Sequence, residues 1–306
     1  MAFFAFGCSF TSYYWPTWAD IIGKEFEYFE NWGQSGGGNQ FIFNSLMECV
    51  VKNKISKDDT VIIMWTNISR EDRYVNHKWI TPGNIFNQST YTQDFIKEFA
   101  DIRGYLIRDL NTIFATQNIL KSIGCKFHFL SMVPLTNPDQ YYNDDHKDKL
   151  LDIVKYFEST LQQILPSVYE VVFDFNWTSR PFYGSGDAIS PAEHHYKIIK
   201  DSTWPEWPKN VQEETTFIAK LSDTIKKECL ENFQLDLYHY SAPKNKPRYK
   251  SKRIDYHPIP SEHLQYLEKV LPEIEISKLT RDWVLTMDAD VKLNRCKWRP
   301  ETPIRW

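Results

Sequence analysis

The residues with chemical potential fall in four short segments. Near the N-terminus, Phe3-Phe4-Ala5-Phe6-Gly7-Cys8-Ser9-Phe10-Thr11 is an apolar run stopped by Gly-x-Ser-x-Thr. The run fits a buried strand, Gly7 permits a tight turn, and Ser9 would be held out at the carboxyl end of a sheet, where its hydroxyl could meet a base. The same serine would also serve as a helix N-cap. Asn31-Trp32-Gly33-Gln34-Ser35-Gly36-Gly37-Gly38-Asn39 is a glycine cluster in a chain with only 11 glycines, so the backbone there must approach something closely. Val61-Ile62-Ile63-Met64-Trp65-Thr66-Asn67 is a second apolar run, suited to a parallel strand that delivers an amide at its tip or caps a following turn. Asp255-Tyr256-His257-Pro258 sets a carboxylate close to an imidazole and completes the inventory for acyl transfer.

In order and type these segments resemble the four blocks of the SGNH (GDSL-like) hydrolase superfamily, which supply Ser, Gly, Asn and His in that sequence. The resemblance covers residues 1–135 and 250–275. It implies Ser9 as nucleophile, His257 as general base and Asp255 as the carboxylate that orients the imidazole. It also implies an oxyanion hole made of the Ser9 and Gly36 N–H groups and the Asn67 side-chain amide. Gly36 is chosen over its neighbours because it lies five residues after Asn31, matching the family's Asn-x-x-x-x-Gly spacing. Two positions depart from the pattern: Cys8 replaces the Asp of Gly-Asp-Ser, and the last block reads Asp255-x-His257 rather than Asp-x-x-His, with Ile254 at the usual acidic position. His263 is the rival base, read as a surface histidine on the polar side of a helix carrying Leu264, Leu267 and Val270.

The chemistry also follows from the groups themselves. A neutral imidazole can take the serine proton near neutral pH, and a carboxylate behind it fixes the tautomer and stabilises the imidazolium. A glycine-rich turn and an amide supply donors where negative charge develops on the carbonyl oxygen; losing one typically costs on the order of 3 kcal/mol of transition-state stabilisation. No cofactor or metal is required, and none is expected.

These groups need a scaffold, and the alternation of strand-like and helix-like segments predicts one. Strands are expected at Ala2–Phe6, near Phe26–Asn31, and at Thr60–Trp65, Lys126–Pro134 and Tyr169–Phe175. Helices are expected at Trp18–Phe26, Gln40–Lys52, Tyr91–Ser122 with a break near Gly104, and Asp145–Ile164. The expected fold is α/β: a flavodoxin-like parallel sheet with helices on both faces, three layers α/β/α, with Ser9, Gly36 and Asn67 each following a strand end in the ligand crevice. The 306 residues read as a single domain with an insertion or cap at about 174–253, before the His block.

That insertion is rich in aromatics, and its Trp204-Pro205-Glu206-Trp207-Pro208 run is stiffened by proline. Packing onto the core is one use for such residues; a cleft for sugar rings, with Trp204 and Trp207 as its faces, is the other. Lys244 to Arg253 then carries six positive charges in ten residues. It reads as a solvated loop or as a basic lip in which Lys250 and Lys252 attract an anionic substrate such as an acidic polysaccharide. Glu193-His194-His195 and Asp144-Asp145-His146 lack metal-type spacing and read as surface loops.

A net charge of −4 and a pI near 6.1 argue against a general nucleic-acid binder. Five scattered cysteines read as reduced thiols. No stretch approaches the roughly 20 apolar residues of a membrane span, and residues 2–6 are claimed by the nucleophile strand, so no cleavable signal is expected. The expected setting is cytoplasmic, with virion association left open. The expected activity is a serine esterase removing O-acyl, often acetyl, groups from a carbohydrate through an acyl-enzyme. A lipase, thioesterase or acyltransferase would use the same groups, and a non-catalytic glycan-binding or virion-associated module would keep the fold without them.

Overall fold

Phe3, Phe4, Ala5 and Phe6 are an apolar run too short for a helix and too hydrophobic for a surface strand, and they form the buried strand β1 (Ala2–Phe6). In the computed structural model, residues 1–85, 91–135, 147–173, 257–292, 295–298 and 300–305 are described. The next elements are α1 (Trp18–Gly23), β2 (Tyr28–Asn31), α2 (Asn39–Asn53) and β3 (Thr60–Trp65). A small antiparallel hairpin follows, β4 (Arg73–Val75) and β5 (Lys78–Ile80). Then come α3 (Gln93–Phe99), α4 (Ile102–Ile123), β6 (Lys126–Ser131), α5 (Lys147–Tyr156), α6 (Glu158–Leu161) and α7 (Val168–Val171). After the insertion the described chain resumes with α8 (Pro260–Val270) and α9 (Lys278–Lys292).

Four described strands make one parallel sheet in the order β2-β1-β3-β6. Alternation along each strand divides the side chains between two layers. Phe4, Phe6, Val61, Ile63 and Trp65 join Phe41, Leu46, Leu106 and Ile113 in one core, beneath α2 and α4. Phe3 meets Trp18, Phe26 and Phe29 on the opposite face, where α1 packs with α8. The result is the expected three-layer α/β/α sandwich. The strand order is that of a flavodoxin-like sheet, whose chain turns one way from β1 to β2 and the other way to β3. The crevice therefore opens at the carboxyl ends of β1 and β3.

Two local expectations fail for identifiable reasons. The strand expected at Tyr169–Phe175 does not form over its described part, 169–173, because Ser167 and Glu170 form a capping box (Ser167 N–H to Glu170 Oε2, 2.7 Å; Glu170 N–H to Ser167 Oγ, 3.2 Å) that starts the short helix α7. Beyond β6 an isolated parallel bridge joins Phe129 to Ile164 instead. The helix expected over Tyr91–Ser122 breaks at Ala100 and Asp101, ahead of Gly104, since the Asp101 carboxylate accepts from the N–H groups of Arg103 and Gly104 and opens a new helix.

The chain divides into two units, one of Met1–Phe175, His257–Asp290 and Cys296–Trp306, the other of Asn176–Tyr256 and Val291–Arg295. The second unit and the insertion expected at about 174–253 lie almost wholly outside the described residues. No helix among the described residues is long and apolar enough to cross a membrane.

Candidate active site

Ser9 sits on a tight turn immediately after β1, where the Cys8 carbonyl accepts the N–H groups of Thr11 (2.9 Å) and Ser12 (3.1 Å). Gly7 is required by close approach: a Cβ there would lie 1.9 Å from Thr11 Oγ1 and 3.2 Å from the Met64 carbonyl oxygen. The turn is pinned through one atom, the Thr11 carbonyl oxygen. It accepts from the Thr17 hydroxyl at 2.6 Å and from Asn31 Nδ2 at 2.7 Å. Asn31 also accepts the Gly33 N–H through its Oδ1 (3.0 Å), so this asparagine ties the serine turn to the glycine cluster. Asp20 holds the start of α1 by accepting from the Thr17 N–H and hydroxyl, and complete burial pushes its pKa up to about 6.

Gly36 follows β2 in a left-handed conformation, φ +75°, that favours glycine. A Cβ would sit 2.0 Å from the Thr81 carbonyl oxygen, because the end of the β4–β5 hairpin lies against this loop. The hairpin is held there by the Thr81 hydroxyl, which donates to the Ser35 carbonyl (2.9 Å) and accepts from Gln34 Nε2 (2.9 Å).

Asn67 follows β3. Its Oδ1 accepts the Ser69 N–H (2.7 Å) and hydroxyl (2.6 Å), which closes a local turn and leaves Nδ2 free of that turn. The capping use and the amide-delivery use of this residue are thus served by different atoms. The segment before it is fixed by Asn39, whose Oδ1 accepts the Thr66 N–H (2.9 Å) while Nδ2 donates to the Thr66 carbonyl (3.0 Å) and to Asp109 Oδ2 (2.8 Å). Asp109 is fully buried on α4 and also accepts from Arg108 Nε at 2.7 Å. Burial pushes its pKa up to about 6 against the lowering pull of Arg108. Among the described residues, no acceptor meets the Ser9 N–H, the Gly36 N–H or Asn67 Nδ2.

His257 reaches the same turn from the far end of the sequence. Its ring stacks on Tyr13, centroids 3.7 Å apart and planes 17° apart, and lies 5.2 Å from the ring of Phe10, the residue after Ser9. The next residue is anchored as well, by Trp15 Nε1 donating to the Pro258 carbonyl at 2.7 Å. The Ser9 hydroxyl and the His257 ring are not hydrogen-bonded to each other; base-to-nucleophile bonds commonly tighten only once substrate is bound. His263 is not a surface residue. It is 1% exposed, on the stripe of α8 that buries Pro260, Leu267 and Val270, because a spacing of three and four residues puts it on the face turned to the core.

Asp255, Trp204, Trp207, Lys250 and Lys252 lie outside the described residues. Among the described residues no group of three His, Cys, Asp or Glu side chains could hold a metal ion. Asn31, Asn39 and Asp109 hold these segments in place without having been singled out in the sequence. Asp109 had a readable signal, a carboxylate on the apolar stripe of a helix between Leu106 and Leu110.

No family model matches the chain, and no curated protein matches it. Among solved structures, a member of the lipolytic protein G-D-S-L family from Veillonella parvula DSM 2008 aligns over 72% of this chain and 100% of its own, at 15% identity and a TM-score of 0.35. At that score the likeness says nothing about activity, and the case for chemistry rests on the geometry above.

Proposed function

We propose that the protein is a serine ester hydrolase of SGNH type that works through an acyl-enzyme. The observation that carries this reading is the stacking of the His257 ring on Tyr13 in the segment that follows Ser9, beside Phe10; the Ser9 N–H, the Gly36 N–H and Asn67 Nδ2, each following a strand end, meet no acceptor among the described residues. In the proposed reaction Ser9 Oγ attacks the ester carbonyl and His257 takes its proton. The tetrahedral oxyanion accepts from the Ser9 N–H, the Gly36 N–H and Asn67 Nδ2. Collapse expels the alcohol, which leaves with the proton from His257, and a water deprotonated by the same imidazole releases the acid. Asp255, two residues before His257 in sequence, is the proposed orienting carboxylate.

The finer proposal is removal of O-acyl groups from a carbohydrate. It draws on the aromatic residues of the insertion, Trp204 and Trp207 among them, and on the basic run containing Lys250 and Lys252. The rival reading is a binding module on the same fold, and one experiment distinguishes the two. The hydrolase is labelled at Ser9 by a fluorophosphonate and turns over p-nitrophenyl acetate, and Ser9→Ala lowers that turnover by about 10³-fold or more with the thermal midpoint nearly unchanged. Activity of Ser9→Ala within tenfold of the parent refutes the assignment.

A further inference from the structure

We propose that Arg70 is an anion-recognition residue of this site, and that the ester it serves carries a carboxylate close to the scissile bond. This rests on the hydrolase reading for its chemistry, but its binding test does not.

Arg70 lies three residues beyond Asn67, in the loop after β3 at the carboxyl end of the sheet. Its guanidinium contacts Gly37 directly and Met132, whose sulfur in turn meets the residues beside Ser9 and Asn67. Nη1 donates to the carbonyl of Gly37, next to Gly36, at 2.8 Å. Nη2 lies 3.6 Å from Met132 Sδ, and that sulfur is 3.8 Å from Sγ of Cys8, next to Ser9, and 3.7 Å from Oγ1 of Thr66, next to Asn67. The positive charge is therefore one thioether away from the nucleophile strand and one carbonyl away from the oxyanion loop.

No described carboxylate pairs with it. The arginines nearby are neutralised: Arg73 by Glu71 at 2.6 Å, and Arg108 by Asp109 at 2.7 Å and Glu71 at 3.6 Å. Asp72, two residues on, makes no ion pair with it: its two oxygens accept the Gly38 and Phe41 N–H groups at the start of α2 (2.8 and 3.0 Å), and its charge acts on Arg70 only through space, without a direct bond. Arg70 is half-buried, and among the described residues its fork meets only a carbonyl oxygen and a sulfur, the latter a weak acceptor. A planar five-donor cation in that position is matched by a carboxylate that replaces the thioether contact with charge-assisted bonds. If Arg70 served only to brace the glycine loop, it would do so without regard to the charge of the substrate.

The test compares each anionic ester with its neutral counterpart. One pair is 4-nitrophenyl hemisuccinate against 4-nitrophenyl methyl succinate, with the charge on the acyl side; the other is 4-acetoxybenzoate against its methyl ester, with the charge on the alcohol side. The parent protein should favour the anionic member of at least one pair in kcat/KM by about tenfold or more, the worth of one charge-assisted hydrogen bond. Arg70→Gln should erase that preference through KM, the anionic ester losing about tenfold or more beyond whatever its neutral counterpart loses, and Arg70→Lys should keep part of it. A parent without preference, or an Arg70→Gln variant that loses both esters equally, overturns the proposal. Independently of turnover, calorimetry on Ser9→Ala should show monomethyl succinate binding that weakens about tenfold or more in Ser9→Ala/Arg70→Gln, with inorganic phosphate as the competing anion. Equal binding by the two proteins overturns the proposal, as does a site that takes phosphate in preference to the carboxylate. Failure of Ser9-dependent hydrolysis alone removes the enzyme reading and leaves the binding result to decide Arg70.

Discussion

Asn39 touches no proposed reacting atom, yet it is the side chain whose removal should do the most collateral harm. Asn39→Ala deletes two bonds to the Thr66 backbone and one to the buried Asp109, at 2.8 to 3.0 Å, and leaves their partners buried without them. Stranding a buried polar group costs about 1–3 kcal/mol, so three such losses, partly relieved by relaxation, amount to about 3–5 kcal/mol. For a chain of this size that lowers the thermal midpoint by roughly 5–8 °C. Thr66 immediately precedes Asn67, so the released strand tip should also misplace the amide. We expect kcat on p-nitrophenyl acetate to fall about tenfold or more with KM little changed, since an oxyanion donor acts in the transition state. Asn44→Ala, on the exposed side of the same helix, is the control and should alter neither quantity. An Asn39→Ala protein that melts within about 2 °C of the parent would show that the bonds do not hold the strand tip. Normal kcat with a lowered midpoint would detach Asn39 from Asn67 function.

His257→Ala should lose hydrolysis as fully as Ser9→Ala, whereas His263→Ala should lower the melting temperature and leave kcat of the folded protein intact; equal kinetic loss in both would leave the base unassigned. Gly36→Ala should destabilise through both its positive φ and the Thr81 carbonyl, while Gly83→Ala, with φ +86° but open space around it, should cost only about 1 kcal/mol; equal midpoints for the two would refute the clash. Asp20 and Asp109, raised by burial to about 6, bind protons more tightly folded than unfolded, so stability should fall as pH rises from about 4 to about 6, by on the order of 2–3 kcal/mol for each group. Denaturant titrations of Asp109→Asn should show a flatter dependence; parallel curves for parent and variant would refute it. Ester hydrolysis should survive EDTA, and chelator-sensitive turnover restored by added metal would reopen the histidine clusters outside the described residues.

The central sheet could be read directly because its signals are local. Phe3 to Phe6 and Val61 to Trp65 are apolar on both faces, which only a strand covered on both sides can use, and β1 and β3 end where the polar residues begin. The glycines carried their meaning in the same way, as Gly7 and Gly36 sit where a Cβ would strike a neighbour. What could not be read is set by pairings between distant segments. Val171, Val172 and Phe173 suggest a strand by propensity, and the Ser167–Glu170 box overrides it. His263 counts as polar by type, yet α8 turns it inward. Arg70 resembles any loop arginine until Gly37 and Met132 arrive beside it from two other strand ends, and no spacing rule links residues 39, 66 and 109.

The hydrogen bond from Trp15 to Pro258 spans 243 positions. During synthesis the serine turn and the glycine loop leave the ribosome early, and the sheet that supports them can form once β6 is out. The imidazole arrives only after the intervening chain has been made, which at about 5–20 residues per second leaves the turn waiting roughly 12 to 50 s. A nascent or prematurely ended chain would thus present Ser9 without its base. If Ser9 and His257 act as proposed, their separation along the polypeptide would confine the chemistry to molecules whose translation has passed the histidine, and an unfinished product would be inert toward esters.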